Sequence, residues 1–417
     1  MDFLSRFRQY ENINWTLADQ ALVSGVNFTT GLLLARYLGL ESFGLYTMLW
    51  MVVLLLGSIQ LALIISPMLS IAPKLDKIEH DIYQSSICMH QIVFSMTSFL
   101  LIVSILASTL YYFDYDYGLA FYTAAAAVGY QFQDYIRRYF FSVMRPRVAF
   151  FGDFVSYVGQ LVAIYVVNYY LGLSIGYVLA AVALTSFLSA LVMRPFMHVR
   201  FNSVEQIVAD FRKSYQFSRW LVGSVIMQWL SGQIFFLLAA YLLGPAMVGV
   251  MKSAQNVVAA THVFIQALEN IIPVKLATLY KRYGFNGISN YLSKSIPLSL
   301  SIVFLFCGFV GYFSDDLLTW LYGDEIEGYG YVLEYFCLVY MVMFMNIFLR
   351  FVLRTVEETK IIFQANMVAV LIVPFTVPLI YSLQVTGAML GMLLSAFITF
   401  LICGFYLVKR YRQGGYE

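Results

Sequence analysis

The sequence predicts an all-α polytopic membrane protein of about twelve transmembrane helices in two six-helix lobes, and three observations carry that reading. Of its 417 residues 61% are hydrophobic and 12% charged, too few polar groups to coat a soluble globule. A hydrocarbon core about 30 Å thick needs about 20 apolar residues in a helix, and twelve such runs lie between polar breaks. When those runs are threaded back and forth, 23 of the 25 Lys and Arg residues collect on one side.

The first run, 14–37, carries Asp19 and Asn27, is long, and lacks a small-residue cleavage site, so it is a retained span and not a cleavable signal peptide. Gln20, Ser24, Asn27 and Gly31 recur on it at helical spacing with Asp19 beside them, a packing face or a cavity face. Runs 43–70, 86–112 and 118–143 follow. The last of these carries Tyr130, Asp134, Arg137, Arg138 and Phe141, with Asp134 one turn from either arginine. Runs 148–171 and 174–196 complete the first half.

The one long polar interval, Arg194 to Trp220, comes next. Ser203 followed by Gln206 has the form of a capping box, and Val204, Ile207, Val208 and Phe211 share a helix face while Glu205, Asp210, Arg212 and Lys213 lie elsewhere. This predicts a short amphipathic helix on the membrane surface, dividing the chain into a lobe at 1–197, a cytoplasmic linker at 198–215 and a lobe at 216–417.

The second half runs 216–242, 247–273, 290–313, 328–352, 360–383 and 386–408. Its first span carries Arg219, Ser224, Gln228 and Ser231. On its second, Lys252, Gln255, Asn256, Ala259, His262, Gln266 and Glu269 recur at three- and four-residue steps, a stripe that cannot face lipid. A polar seam between two helices is one reading. The stripe's length and its three ionisable groups favour the wall of a water-filled cavity, and put His262 in line for a proton-linked role. Run 328–352 aligns Asn346, Arg350 and Arg354 at four-residue steps, with Glu357 and Glu358 within reach of Arg354. Arg350 and Arg219 lie within their spans and suit a cytoplasm-facing phosphate site, because a guanidinium stays charged and grips phosphate with two N–H bonds.

The charge sorting places both termini in the cytoplasm, leaving only Arg36 and Lys252 towards the other face, which collects Glu41, Asp114, Asp116, Asp315, Asp316, Asp324, Glu325 and Glu327. Cys88, Cys307, Cys337 and Cys403 lie far apart inside apolar runs, as packing residues do. No phosphate-binding loop, metal cluster or nucleophile constellation is present, so no cofactor is expected. Energy must come from an ion gradient, with Na+ and H+ both open, from the membrane potential, or from the gradient of the cargo.

A shift of 205 residues superposes Ala35-Arg-Tyr-Leu-Gly39-Leu-Glu-Ser-Phe-Gly44-Leu45 on Ala240-Tyr-Leu-Leu-Gly244-Pro-Ala-Met-Val-Gly249-Val250, brings Trp15 to Trp220, and sets Pro67 opposite Pro273 after a one-residue slip. Both glycine pairs fall at the tight turn joining the first two helices of a half, where glycine lets the chain reverse. The halves are therefore parallel-topology repeats.

These glycine-bearing segments, with the span count, halves and orientation, resemble the polysaccharide, or O-antigen, flippases of the multidrug/oligosaccharidyl-lipid/polysaccharide (MOP) exporter superfamily. The resemblance implies two lobes around a central cavity that opens alternately to either side of a bacterial inner membrane. It also implies export of an undecaprenyl-diphosphate-linked oligosaccharide in lipopolysaccharide or exopolysaccharide biosynthesis, with a polysaccharide polymerase and chain-length machinery as partners and no nucleic acid. The cavity residues expected from the polar stripes are Asp19, Gln20, Ser24, Asn27, Asp134, Arg137, Arg138, Arg219, Gln228, Lys252, Gln255, Asn256, His262, Gln266, Glu269, Asn346 and Arg350. A cation-coupled multidrug exporter of the same fold is the alternative, with Asp19 and Glu269 as its acids. A membrane-embedded polymerase or glycosyltransferase ranks third, because the longest outer loop, Ser314 to Gly328, is short.

Overall fold

The structure, a computed structural model, describes the backbone of residues 3–197 and 202–412. The side chains of residues 3–13, 262, 263, 266, 267, 269–271, 274 and 412 lie outside the described residues, and with them three members of the expected stripe, His262, Gln266 and Glu269.

Helix dominates, as the hydropathy requires: a backbone in lipid must satisfy its own hydrogen bonds. Helix α1 (Phe3–Gln60) passes through a π-turn (Leu61–Ile65) into α2 (Ser66–Ile71). Then come α3 (Lys77–Tyr112), α4 (Gly118–Ser142), α5 (Pro146–Asp153), α6 (Gly159–Leu171) and α7 (Ile175–Met193), with a second π-turn, Phe154–Val158, joining α5 to α6. After the central interval follow α8 (Val204–Leu243), α9 (Pro245–Val258), α10 (Thr261–Tyr312), the short α11 (Ser314–Tyr322), α12 (Gly330–Thr355), α13 (Thr359–Leu383) and α14 (Val385–Arg412).

Among the described residues nine helical stretches are long and apolar enough to cross a membrane. The first, Asn14–Lys74, makes two passes, because Gly39 breaks α1 at φ 75°, ψ 165°. Polar α4 supplies another pass, and α9 with the start of α10 the twelfth.

The chain divides into two units, Met1–Leu33 with Leu49–Ile226, and Leu34–Met48 with Met227–Glu417. In the first, α4 packs between α3 and α7 around Met68, Tyr83, Ile87, Tyr135, Phe140 and Met193. Apolar burial alone gives helices little reason to associate in lipid, and interhelical hydrogen bonds add to it. Gln60 Nε2 donates to Gln91 Oε1 (2.9 Å) and to the Gln131 carbonyl (2.8 Å), Gln91 donates to Ser95, and Ser95 to Gln131 Oε1.

The linker differs from the sequence expectation. Ser203 does cap its helix, its Oγ accepting from the Gln206 N–H (3.3 Å), but the helix continues without a break into the seventh span as α8. Nothing in residues 212–220 is a helix breaker, so propagation is favoured over a stop. Its face is pinned to α3: His90 Nε2 bonds the Ile207 carbonyl (2.9 Å), the His90 ring meets Phe211 edge-on, and the Tyr83 hydroxyl bonds Ser214 (2.8 Å).

In the second unit α12 is central, touching α9, α10, α13 and α14, with Phe344, Phe348 and Phe351 in its packed face. Cys307 and Cys337, distant in sequence, are brought close together between α10 and α12. The glycine repeat is reproduced in the backbone: Gly244 at φ 90°, ψ 168° has the conformation of Gly39. The two turns cross reciprocally. A methyl on Gly44 would overlap the Pro245 carbonyl, and one on Gly249 the Leu40 carbonyl, while Glu325 accepts a hydrogen bond from the Leu40 N–H (3.1 Å). Gly44→Ala should therefore cost about 1–3 kcal/mol of stability, the usual range for overpacking. This is read as a lower melting temperature in detergent than that of Gly25→Ala, whose added methyl meets nothing within 4 Å. Equal melting temperatures for the two variants would contradict the crossing.

Candidate functional site

Among the described residues each unit holds a concentrated polar centre with charged groups. In the first unit it is built on Arg137, buried in α4 and enclosed by three carboxylates. Its Nη2 donates to Asp19 Oδ2 at 2.6 Å, its Nε lies 2.7 Å from Asp153 Oδ2, and Nη1 is 3.9 Å from Asp134 Oδ1. Asp134 belongs chiefly to Arg138, whose Nε reaches both its oxygens at 3.0 and 3.1 Å across one helical turn. Asp19 and Asp153 are wholly buried. Gln133 extends the network, donating to Asp153 Oδ1 (3.1 Å) and accepting from Ser156 (2.7 Å) and Ser186 (2.9 Å). Asp153 ends α5 and Ser156 lies in the following π-turn, a feature that often marks sites where a helix is bent for a side chain. The centre ties α1, α4 and α5 together through charge. With all five ionised it has three negative and two positive groups.

In the second unit a cavity of about 320 Å³ lies among α8, α9, α12, α13 and α14. The α12 positions Val339, Tyr340, Met343, Asn346, Ile347 and Arg350 recur at helical spacing and form one wall. Gln228, Ser231 and Gln233 line it from α8, Gln255 from α9, Asn366 from α13, and Ser395 and Thr399 from α14. Arg350 Nη2 donates to Asn366 Oδ1 (3.2 Å), and Asn346 Nδ2 to the Ala396 carbonyl (2.9 Å). Among the described residues the lining has amides and hydroxyls, one charged group, Arg350, and no carboxylate. Such a wall can hydrogen-bond a hydroxylated ligand and attract an anion.

Known proteins place this architecture. The MatE family model matches residues 221–381. The solved structure of a multidrug resistance MATE family transporter of the MOP superfamily, in an inward-facing conformation, superposes with a TM-score of 0.74 at 14% identity, covering 96% of both chains. Its outward-facing counterpart gives 0.64 at 14% identity, over 97% of this chain and 94% of the other. The chain has the fold of the MATE transporters. A MOP superfamily transporter from Pyrococcus furiosus, described as having a binding pocket of reverse polarity that suggests a different function, shares the MATE fold at a TM-score of 0.60 and 13% identity, over 94% and 95% of the chains. No curated protein matches the sequence.

Within the MATE fold the expected cavity residues separate. Gln228, Gln255, Asn346 and Arg350 come together in the second unit, and Asp19, Asp134, Arg137 and Arg138 in the first. Gln20 donates to Ser24 (3.4 Å) along α1, but Asn27 is exposed. Arg219 is not in the Arg350 cavity. It is exposed on α8 with its guanidinium over the Trp220 ring at 5.8 Å, because the long helix turns its face outward. Arg354 is exposed as well, and Glu358 lies 3.9 Å from Arg410 instead. The stripe on the eighth span does not run along one straight helix. The chain turns at 259–260, leaving Lys252, Gln255 and Asn256 on α9, and of these only Gln255 lines the cavity. Sequence reasoning missed Asp153, Gln133, Gln233, Asn366 and Thr399. Each is a polar residue within a predicted span, and that was the available signal.

Proposed function

We propose that this protein is an alternating-access exporter that moves an undecaprenyl-diphosphate-linked oligosaccharide from the cytoplasmic to the outer leaflet of a bacterial inner membrane. The observation that carries the reading is the second-unit cavity, which offers an arginine among amides and hydroxyls and no carboxylate among its described lining. Sugar hydroxyls need that density of donors and acceptors, since each one desolvated without a partner is costly. A diphosphate needs the guanidinium. A cationic drug would find no counter-charge there. Similarity to transporters solved in both inward- and outward-facing conformations supports alternating access. Both termini are then cytoplasmic, as the Lys and Arg sorting requires, and the product passes to a polysaccharide polymerase with its chain-length machinery.

The second reading, a cation-coupled multidrug exporter, is favoured by the multidrug transporters that share the fold and by the buried acids Asp19 and Asp153. Those acids are already held by Arg137. Proteoliposomes decide between the two. The protein should move a fluorescent undecaprenyl-diphosphate oligosaccharide between leaflets and leave a cationic dye untransported. Dye transport with an immobile lipid-linked sugar would establish the drug exporter instead.

A further inference from the structure

We infer that Lys252 is a second anion-binding station on the transport path, beyond Arg350, that takes over the phosphates of the cargo. The inference rests on the reading of the cavity just given and adds a residue to it. Lys252 does not line the cavity, yet it is joined to it: its Nζ donates to Gln255 Oε1 at 2.8 Å, and Gln255 lines the same cavity as Arg350. With that oxygen engaged, the Gln255 amide turns its N–H groups to other partners. Lys252, Gln255 and Arg350 thus form a succession of donors.

The order of the three along the membrane normal follows from the helices that carry them. Helices α9 and α12 start on the same side, because Gly249 of α9 packs on the Leu40 carbonyl while Glu325, just before α12, accepts from the Leu40 N–H. Lys252 is the eighth residue of α9 and Arg350 the twenty-first of α12. At a rise of 1.5 Å per residue, Lys252 sits about 20 Å nearer that side than Arg350, with Gln255 one turn below Lys252. The cavity therefore has a cation at its far end and another just past its near end.

An ammonium inside a membrane protein is costly unless something compensates it. Among the described residues the Gln255 amide oxygen is its hydrogen-bond partner, and no carboxylate lies within ion-pair distance. An acid beside it would be the simplest device for stability alone. Arg137 in the first unit, by contrast, has three such acids within 4 Å. An ammonium held by an amide keeps two N–H donors for an anion, and a diphosphate has oxygens enough to bridge successive donors.

The test uses inorganic pyrophosphate on the purified full-length protein at low salt, with binding followed by calorimetry. Wild-type protein should bind it at two sites; Lys252→Gln should weaken one of them about tenfold, equivalent to 1.4 kcal/mol, and leave the Arg350 site unchanged, and Lys252→Arg should stay close to wild type. In the wild-type protein, pyrophosphate should also protect Lys252 from an amine-acylating reagent, read by mass spectrometry, and a neutral disaccharide should not. That second measurement needs no variant to fold. If Arg350→Gln loses binding while Lys252→Gln retains it and Lys252 is not protected, the second station is overturned and the cavity reading stands. If wild-type protein does not bind pyrophosphate at all, both fall.

Discussion

Arg137→Met should leave little folded protein in the membrane. The substitution keeps an unbranched apolar stem but strands Asp19 and Asp153, both wholly buried, without the guanidinium that reaches them at 2.6 and 2.7 Å. Removing one partner of a buried ion pair typically costs about 3–5 kcal/mol, because the remaining charge is neither solvated nor compensated. Here two carboxylates are stranded at once, against a total stability of about 5–15 kcal/mol for a typical domain. The fluorescence-detected melting profile of a tagged protein in detergent measures the effect. Adding Asp19→Asn and Asp153→Asn to Arg137→Met should restore much of it, since neutral amides desolvate more cheaply than carboxylates. If the single variant melted like wild type, the first-unit centre would not hold α1, α4 and α5 together. Asp134→Asn should do less, because Arg138 is its main partner and is more exposed.

On the proposed flippase reading, Arg350→Ala should leave the fold largely intact and abolish most transport of the lipid-linked diphosphate. Charge-assisted hydrogen bonds contribute about 1.5–3 kcal/mol each. Loss of a two-pronged contact to phosphate should therefore lower apparent affinity on the order of a hundredfold. Arg350→Lys keeps the charge but not the fork, and should fall between the two. The assay is leaflet translocation in proteoliposomes at fixed potential. A cargo with about two negative charges is driven out by a potential negative inside, at about 2.3 kcal/mol per charge per 100 mV if it crosses the whole field. Fixed charges on the protein do not change that overall driving force. A mobile arginine that travels with the phosphates reduces the net charge moved, so the loaded step of Arg350→Ala should respond more steeply to voltage than that of wild type. Wild-type rates and unchanged voltage dependence in both variants would remove Arg350 from the mechanism.

The sequence by itself determined the membrane class, the passes and the repeat. Hydropathy is summed residue by residue along a span, so a few polar substitutions cannot hide a run of about 20 apolar positions. The repeat was legible for a similar reason: Gly39 and Gly244 both occupy a left-handed backbone conformation that other residues resist, so the constraint is written at single positions. Local electrostatics were legible too, as with Asp134 and Arg138 one turn apart on α4. Only the tertiary structure decided which distant groups meet. The partners of Arg137 are Asp19, 118 positions away, and Asp153 at the end of α5, and neither distance nor periodicity selects them. Arg350 and Arg219 looked equivalent as deep basic groups, yet one lines a cavity with Asn366 and the other stands exposed over Trp220. The difference lies in the rotation of each helix about its own axis. Packing of neighbouring helices sets that rotation, and a 100° turn between successive residues carries no record of which neighbour will be there.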